Sequence, residues 1–188
     1  MRAKTLEDLL ERLMLKLLRL ARIVHADKLV SIGRQTYAFT DYFKGLEKTE
    51  AVKRIFGERT EEILRNLRIE FIGFVGYMGV NDQNGHLMIS SKYLNTGNKV
   101  DIYLDIIHEL VHVKQFMEGK ELFDNNYTYI ERPTEIEAYR HAVEEARRLG
   151  LSDERICEYL KTEWISHEEL KRLTKTLNVK YKPSQINS

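Results

Sequence analysis

The chain has 188 residues, of which 43% are hydrophobic and 31% charged, and its formal net charge is +1. That suits a globular protein with room for a sizeable core and gives no electrostatic case for nucleic acid or an anionic membrane. The single cysteine, Cys157, excludes an intramolecular disulfide framework.

No stretch has the unbroken apolar core of a signal peptide or the about 20 apolar residues of a membrane span. A cytoplasmic protein without membrane contact is therefore expected. The first segment, TLEDLLERLMLKLLRLARIV, reads as an amphipathic helix. Leu6, Leu9, Leu10, Leu13, Leu17, Leu20 and Val24 share one stripe, and Thr5 with Asp8 forms a variant capping box. Two more helices are expected over residues 28–44 and 49–67. In the second of these, Val52, Ile55, Phe56, Ile63 and Leu64 can share a core face.

The character changes near residue 69. IEFIGFVGYMGV is β-branched and aromatic, and Asn84-Gly85 is a strong hairpin signal. A hairpin is predicted, with residues 70–78 paired to 86–93. After NTGN a helix is expected from about residue 100 to 118, capped by Gly119. Pro133 suits the first turn of another helix, which Gly150 ends. Ser152 caps one tail helix, and Ser166 with Glu169 makes a capping box for the last. KPSQINS is expected to fray. The organisation expected is a helical extension over 1–67, a core domain over 68–150 and a helical tail over 151–188.

The helix expected at 100–118 contains the run HELVH. Residues four apart lie on one face, so His108 and His112 can offer nitrogens to one metal ion. Glu109 lies to one side, where a carboxylate can take a proton from a water activated by zinc and pass it to a leaving amine. The competing reading is two hydrogen-bonded core histidines. Ile106, Ile107, Leu110, Val111 and Val113 make the helix a buried one, and burying imidazoles and a carboxylate without a partner is costly.

A zinc site needs a third protein ligand. ERPTEIEAYRHAVEEARRLG offers Glu131, Glu135 and Glu137. Glu131 precedes the proline and falls outside the helix. Glu135 shares a stripe with Ala138, Tyr139, Ala142, Ala146 and Leu149, small and apolar enough to pack closely on another helix. Glu137 shares a charged stripe with Arg140, His141, Glu144, Glu145 and Arg148. Glu135 is therefore the expected ligand, with Glu137 expected to face water.

HELVH followed by a downstream helix with Glu135 and Ala138 resembles the gluzincin metallopeptidases. The pattern is similar to the CAAX-prenyl-protease/HtpX-like and ImmA/IrrE-like groups, and to the compact minigluzincins. The resemblance spans about residues 69–150. It implies a zincin-like α+β domain with a small sheet, an active-site helix and a glutamate-bearing helix. One zinc ion would be held by His108, His112 and Glu135, with Glu109 as base and then acid in hydrolysis of a peptide or protein substrate. Four positions after the ligand glutamate many gluzincins carry an acid or amide; here Tyr139 stands there. The strand before the motif helix would be either a substrate-binding edge or a structural hairpin.

A donor for a developing oxyanion is sought among Tyr127, Tyr129, Tyr139 and His141, with Tyr139 the choice. Asp105 either orients a histidine or is a first-turn charge. Cys157 reads as a buried tail-helix thiol rather than a fourth ligand. Two other functions fit the same residues: a latent or inactive zinc-binding protein, or a regulatory protease acting on a transcription factor.

Overall fold

The computed structural model describes residues 35–73 and 77–181. The helix expected within the first 25 residues, its Thr5 cap and the terminal KPSQINS lie outside them. In chain order the elements are β1 (Thr36–Ala38), α1 (Phe39–Tyr42), α2 (Glu50–Phe56), α3 (Thr60–Asn66), β2 (Arg68–Ile72), β3 (Met78–Val80) and β4 (Leu87–Ser90). There follow α4 (Ser91–Thr96), α5 (Lys99–Met117), α6 (Pro133–Arg148), α7 (Asp153–Leu160) and α8 (His167–Thr176). The fold is α+β, with a small mixed sheet.

The strands lie in the order β1-β2-β4-β3. β3 and β4 form the antiparallel hairpin, in the register Met78↔Ile89 and Val80↔Leu87. Its connection is longer than a two-residue Asn-Gly turn: the Gly85 amide donates to the Asn81 carbonyl, and the Asn81 amide to the His86 carbonyl. Gly85 has φ 72°, and a Cβ there would lie 2.6 Å from the Phe116 ring, so both the turn and the helix behind it require glycine.

The predicted hairpin partner is corrected in two ways. Arg68–Ile72 runs parallel to β4, with Ile69 opposite Leu87, so the first strand is a separate element from Met78–Val80. Ser90 then caps a helix by accepting from the Tyr93 amide, so residues 91–93 are helical rather than extended. Two helix expectations also change. Thr36–Ala38, inside the expected helix 28–44, is an edge strand antiparallel to β2. Residues 49–67 break at Gly57, whose φ of 60° ends α2 before α3 begins.

Other boundaries follow the capping chemistry. Asn98 starts α5 by accepting from the Val100 and Asp101 amides. Gly119 and Gly150, both at positive φ, follow α5 and α6. Pro133 opens α6, Ser152 caps α7, and Ser166 with Glu169 makes the capping box of α8.

α5 is apolar on nearly every side because it is enclosed. α6 packs along it, and α2 and β3 cover other faces. Ile102, Leu104, Ile106, Ile107, Leu110 and Val111 are fully buried there. The α6 stripe of Ala138, Ala142 and Ala146 is likewise fully buried, and its small side chains let the two helix backbones approach. One buried core runs from Phe39 to Val179. Among the described residues no helix is long and apolar enough to cross a membrane.

Candidate metal centre

His108 and His112 project from one face of α5 toward the first turn of α6, where Glu135 meets them. The two histidine Nε2 atoms are 3.0 Å apart. Glu135 Oε2 lies 3.3 Å from His108 Nε2 and 3.5 Å from His112 Nε2. All three residues are buried. Glu135 Oε2 nevertheless has no partner in hydrogen-bonding geometry. Three donor atoms thus gather within a few ångströms of one another, close enough to share one metal ion.

The surroundings hold this arrangement. Gln115, fully buried, donates from its amide nitrogen to the Thr134 carbonyl and to Glu137 Oε2, each at 3.0 Å. Its oxygen is left to accept from His112 Nδ1 at 2.7 Å. That fixes the proton on Nδ1 and turns the lone pair of Nε2 toward the triad. Glu137 is only one-third exposed, and is also held by Lys120 at 3.0 Å and Lys114 at 3.9 Å. It therefore anchors Gln115 and does not simply face water as its stripe suggested. Glu145, placed on the same charged stripe, is fully buried and bonded to the Tyr103 hydroxyl and Arg148.

Tyr139 lies with its ring 4.4 Å from that of His108, and its hydroxyl is 2.8 Å from the Tyr129 hydroxyl. It packs on a histidine and is buried, its phenol pushed up mainly by burial. The other sequence candidates sit elsewhere. Glu131 is bound to Arg172 and Thr128. Tyr127 is exposed. His141 is half-buried and outside the cleft described below. Asp105 accepts from the Tyr93 hydroxyl at 2.5 Å, while His108 Nδ1 has no partner, so Asp105 does not orient that histidine. Cys157 is buried, its thiol near the Lys180 carbonyl and outside the triad.

A cleft of about 180 Å³ opens beside the triad, lined by His108, Glu109, Tyr129 and Tyr139 among others. Glu109 is buried at its edge, and its Oε2 has no hydrogen-bond partner. Burial foremost, with the nearby carboxylates, lifts its pKa to about 8. Burial lowers the pKa of His108. At His112 burial also opposes the charge, but Glu135, Glu109 and Gln115 outweigh it and raise the pKa. Burial works against ionisation of Glu135, yet the two histidines hold its carboxyl well below the usual range.

Comparison with protein-family models, with curated proteins and with solved structures returns no match.

The donor set itself carries the chemistry. Two imidazoles and a carboxylate suit zinc. Ligands bound at about 2.0–2.2 Å in a tetrahedron stand about 3.3 Å apart. The separations of 3.0, 3.3 and 3.5 Å fit that spacing.

Gln115 was missed in the sequence. Gln115 had a signal, since it follows His112 by three positions and so shares its side of the helix. Tyr129 was among the oxyanion candidates, but its contact with the Tyr139 hydroxyl depends on how the loop before α6 folds.

Proposed function

We propose that the protein is a zinc-dependent metallopeptidase of the gluzincin type, built on a zincin-like domain. His108, His112 and Glu135 would hold one zinc ion. The observation that carries this reading is the convergence of three buried donor atoms beside an unpartnered Glu109 carboxylate oxygen on the wall of a cleft.

When bound, zinc supplies a Lewis acid that polarises a carbonyl and acidifies a water. Glu109 is placed to take a proton from the attacking water and to deliver it to the leaving amine. Its Oε2 is not committed to another protein group. Gln115 keeps His112 in the tautomer that presents Nε2. The Tyr129–Tyr139 hydroxyl pair at the cleft wall would supply a donor for negative charge developing on a carbonyl oxygen.

The test is Glu109→Gln. Zinc content should stay near one ion per chain while peptide cleavage falls by about 10³-fold, within the range for loss of a general base. Unchanged cleavage would overturn the mechanism. Zinc binding with no cleavage by the wild type would leave a metal-binding protein in place of an enzyme. Metal analysis of Glu135→Ala beside Glu137→Ala tests the ligand set; loss of zinc in the Glu137 variant alone would overturn the assignment.

A further inference from the structure

Among the described residues, five buried side-chain polar atoms have no hydrogen-bond partner. One is Glu135 Oε2, in the triad. The other four, His108 Nδ1, Glu109 Oε2, Tyr159 Oη and Thr162 Oγ1, all belong to residues lining the single cleft beside it. Buried polar atoms are ordinarily satisfied, so a concentration of this kind marks a place where a ligand completes the bonding.

The ligand's charge follows from the lining. Asp101, Asp105, Glu109 and Glu158 line the cleft, against one lysine, Lys161, which is exposed. Arg155 offsets Asp101. Asp105 has hydroxyls around it and, among the described residues, no ion-pair partner: Tyr93 donates to it, and Tyr159, only 9% exposed, stands beside it. The walls are aromatic. Tyr77 meets Tyr93 at 4.7 Å and Trp164 at 5.4 Å. Carboxylate beneath and aromatic faces around is the environment that binds an ammonium or guanidinium group.

We propose that this cleft takes the positively charged side chain of a peptide, lysine or arginine, with Asp105 as its counter-ion. This names the substrate class of the peptidase proposed above, and rests on that reading for the reaction though not for the binding. Asp105 precedes Glu109 by four residues, a rise of about 6 Å along α5. The three- or four-carbon stem of arginine or lysine covers a distance of that order. The α-amine of a peptide, fixed directly to the backbone, would fall short of Asp105.

Trp164 is the only tryptophan in the chain and lies half-exposed at the cleft, so tryptophan emission, excited at a wavelength that tyrosine does not absorb, reports on this site. The experiment titrates the full chain, with and without one equivalent of zinc. The probes are acetylated and amidated tripeptides carrying lysine, arginine or uncharged norleucine at the centre, and a norleucine peptide with a free amino terminus. Lysine and arginine peptides should bind about tenfold more tightly than blocked norleucine. In Asp105→Asn that difference should shrink below about twofold, while the blocked norleucine peptide binds as before. Equal binding of lysine and norleucine by the wild type would overturn the proposal, and that comparison needs no variant. Discrimination that survives in Asp105→Asn would overturn the role of Asp105. Tightening only by a free terminus would assign the cation to the chain end and overturn the side-chain assignment. Because binding is read without hydrolysis, a lysine preference without cleavage sinks the peptidase reading alone. Cleavage without a preference sinks this proposal alone.

Discussion

Helix α6 carries two buried carboxylates into its contact with α5, and their surroundings are opposite. Glu145, near the end of the helix, is completed by its own fold. The Tyr103 hydroxyl donates to it at 2.6 Å, and the Arg148 guanidinium grips both oxygens at 2.6 and 2.7 Å. Glu135, in the first turn, faces two imidazole nitrogens, and its Oε2 has no hydrogen-bond partner. Both residues lie in the same helix pair. Burial of a carboxylate is thus not by itself a sign of function here. The sign is burial left incomplete, at the point where two other donors converge.

The contrast predicts opposite responses to metal. Zinc at about a thousand times its dissociation constant should stabilise the wild type by about 4 kcal/mol. That corresponds to a rise in Tm of roughly 10 °C for a chain of this size, reversed by a chelator. Glu135→Ala should lose the rise, and Glu145→Gln should keep it. Differential scanning calorimetry with and without zinc would show this; an equal rise in wild type and Glu135→Ala would break the contrast.

Loss of Arg148 probes the completed site. Arg148→Ala would leave the Glu145 carboxylate, 0% exposed, with the Tyr103 hydroxyl alone. Breaking a buried pair from one side costs about 3–5 kcal/mol, and the lower end applies because the guanidinium is 47% exposed. Urea unfolding should report that loss while zinc affinity stays within about twofold of wild type. A large change in zinc affinity would mean that the two carboxylates are coupled through α6.

Asp105 is an intermediate case on α5, satisfied by a hydroxyl but not by a cation. Burial, partly offset by the Tyr93 and Tyr159 hydroxyls, raises its pKa from 3.8 to about 6. The folded state therefore holds a proton that the unfolded chain has released between about pH 4 and 6, and stability falls as pH rises through that window. The loss should amount to roughly 2–3 kcal/mol, the residue being partly exposed at the cleft. Asparagine carries no charge, so Asp105→Asn should lose that decline and at pH 7 be at least as stable as the wild type. Denaturant midpoints of the two proteins at pH 4 and pH 7 decide it; parallel curves would refute the burial of this charge.

Much of the site was legible because helical geometry is local. The spacing of His108 and His112 and the alanine stripe that carries Glu135 inward need only a period of 3.6 residues. The caps at Asn98, Ser152 and Ser166 are equally local, and the last two stand out in the sequence. What escaped depends on contacts distant in sequence. The parallel pairing of β2 with β4 is invisible to a hairpin signal, which sees only neighbouring segments. Thr36–Ala38 is a strand because an edge was open beside β2, where local pattern favoured a helix. Glu145 and Glu137 share a charged stripe that favours water, yet Glu145 is fully buried and Glu137 only one-third exposed. Glu145 instead meets Tyr103 from the neighbouring helix, and Glu137 meets Gln115.

That last contact sharpens the comparison at its finest grain. Glu137, Gln115 and His112 form a chain of hydrogen bonds that ends at the triad. Because the Gln115 amide nitrogen is used by Thr134 and Glu137, only its oxygen is left for His112. Gln115→Ala should free the His112 ring to turn and to exchange tautomers, weakening zinc affinity by about 10–100-fold with the ligands intact. Glu137→Ala removes only the anchor, and the Thr134 carbonyl still holds the amide, so the loss there should be under about tenfold. Competition with a chelating dye measures both. The order of the two effects is what matters. If Glu137→Ala weakens zinc more than Gln115→Ala, Glu137 reaches the metal itself, and the line between the ligand carboxylate and the supporting one must be redrawn.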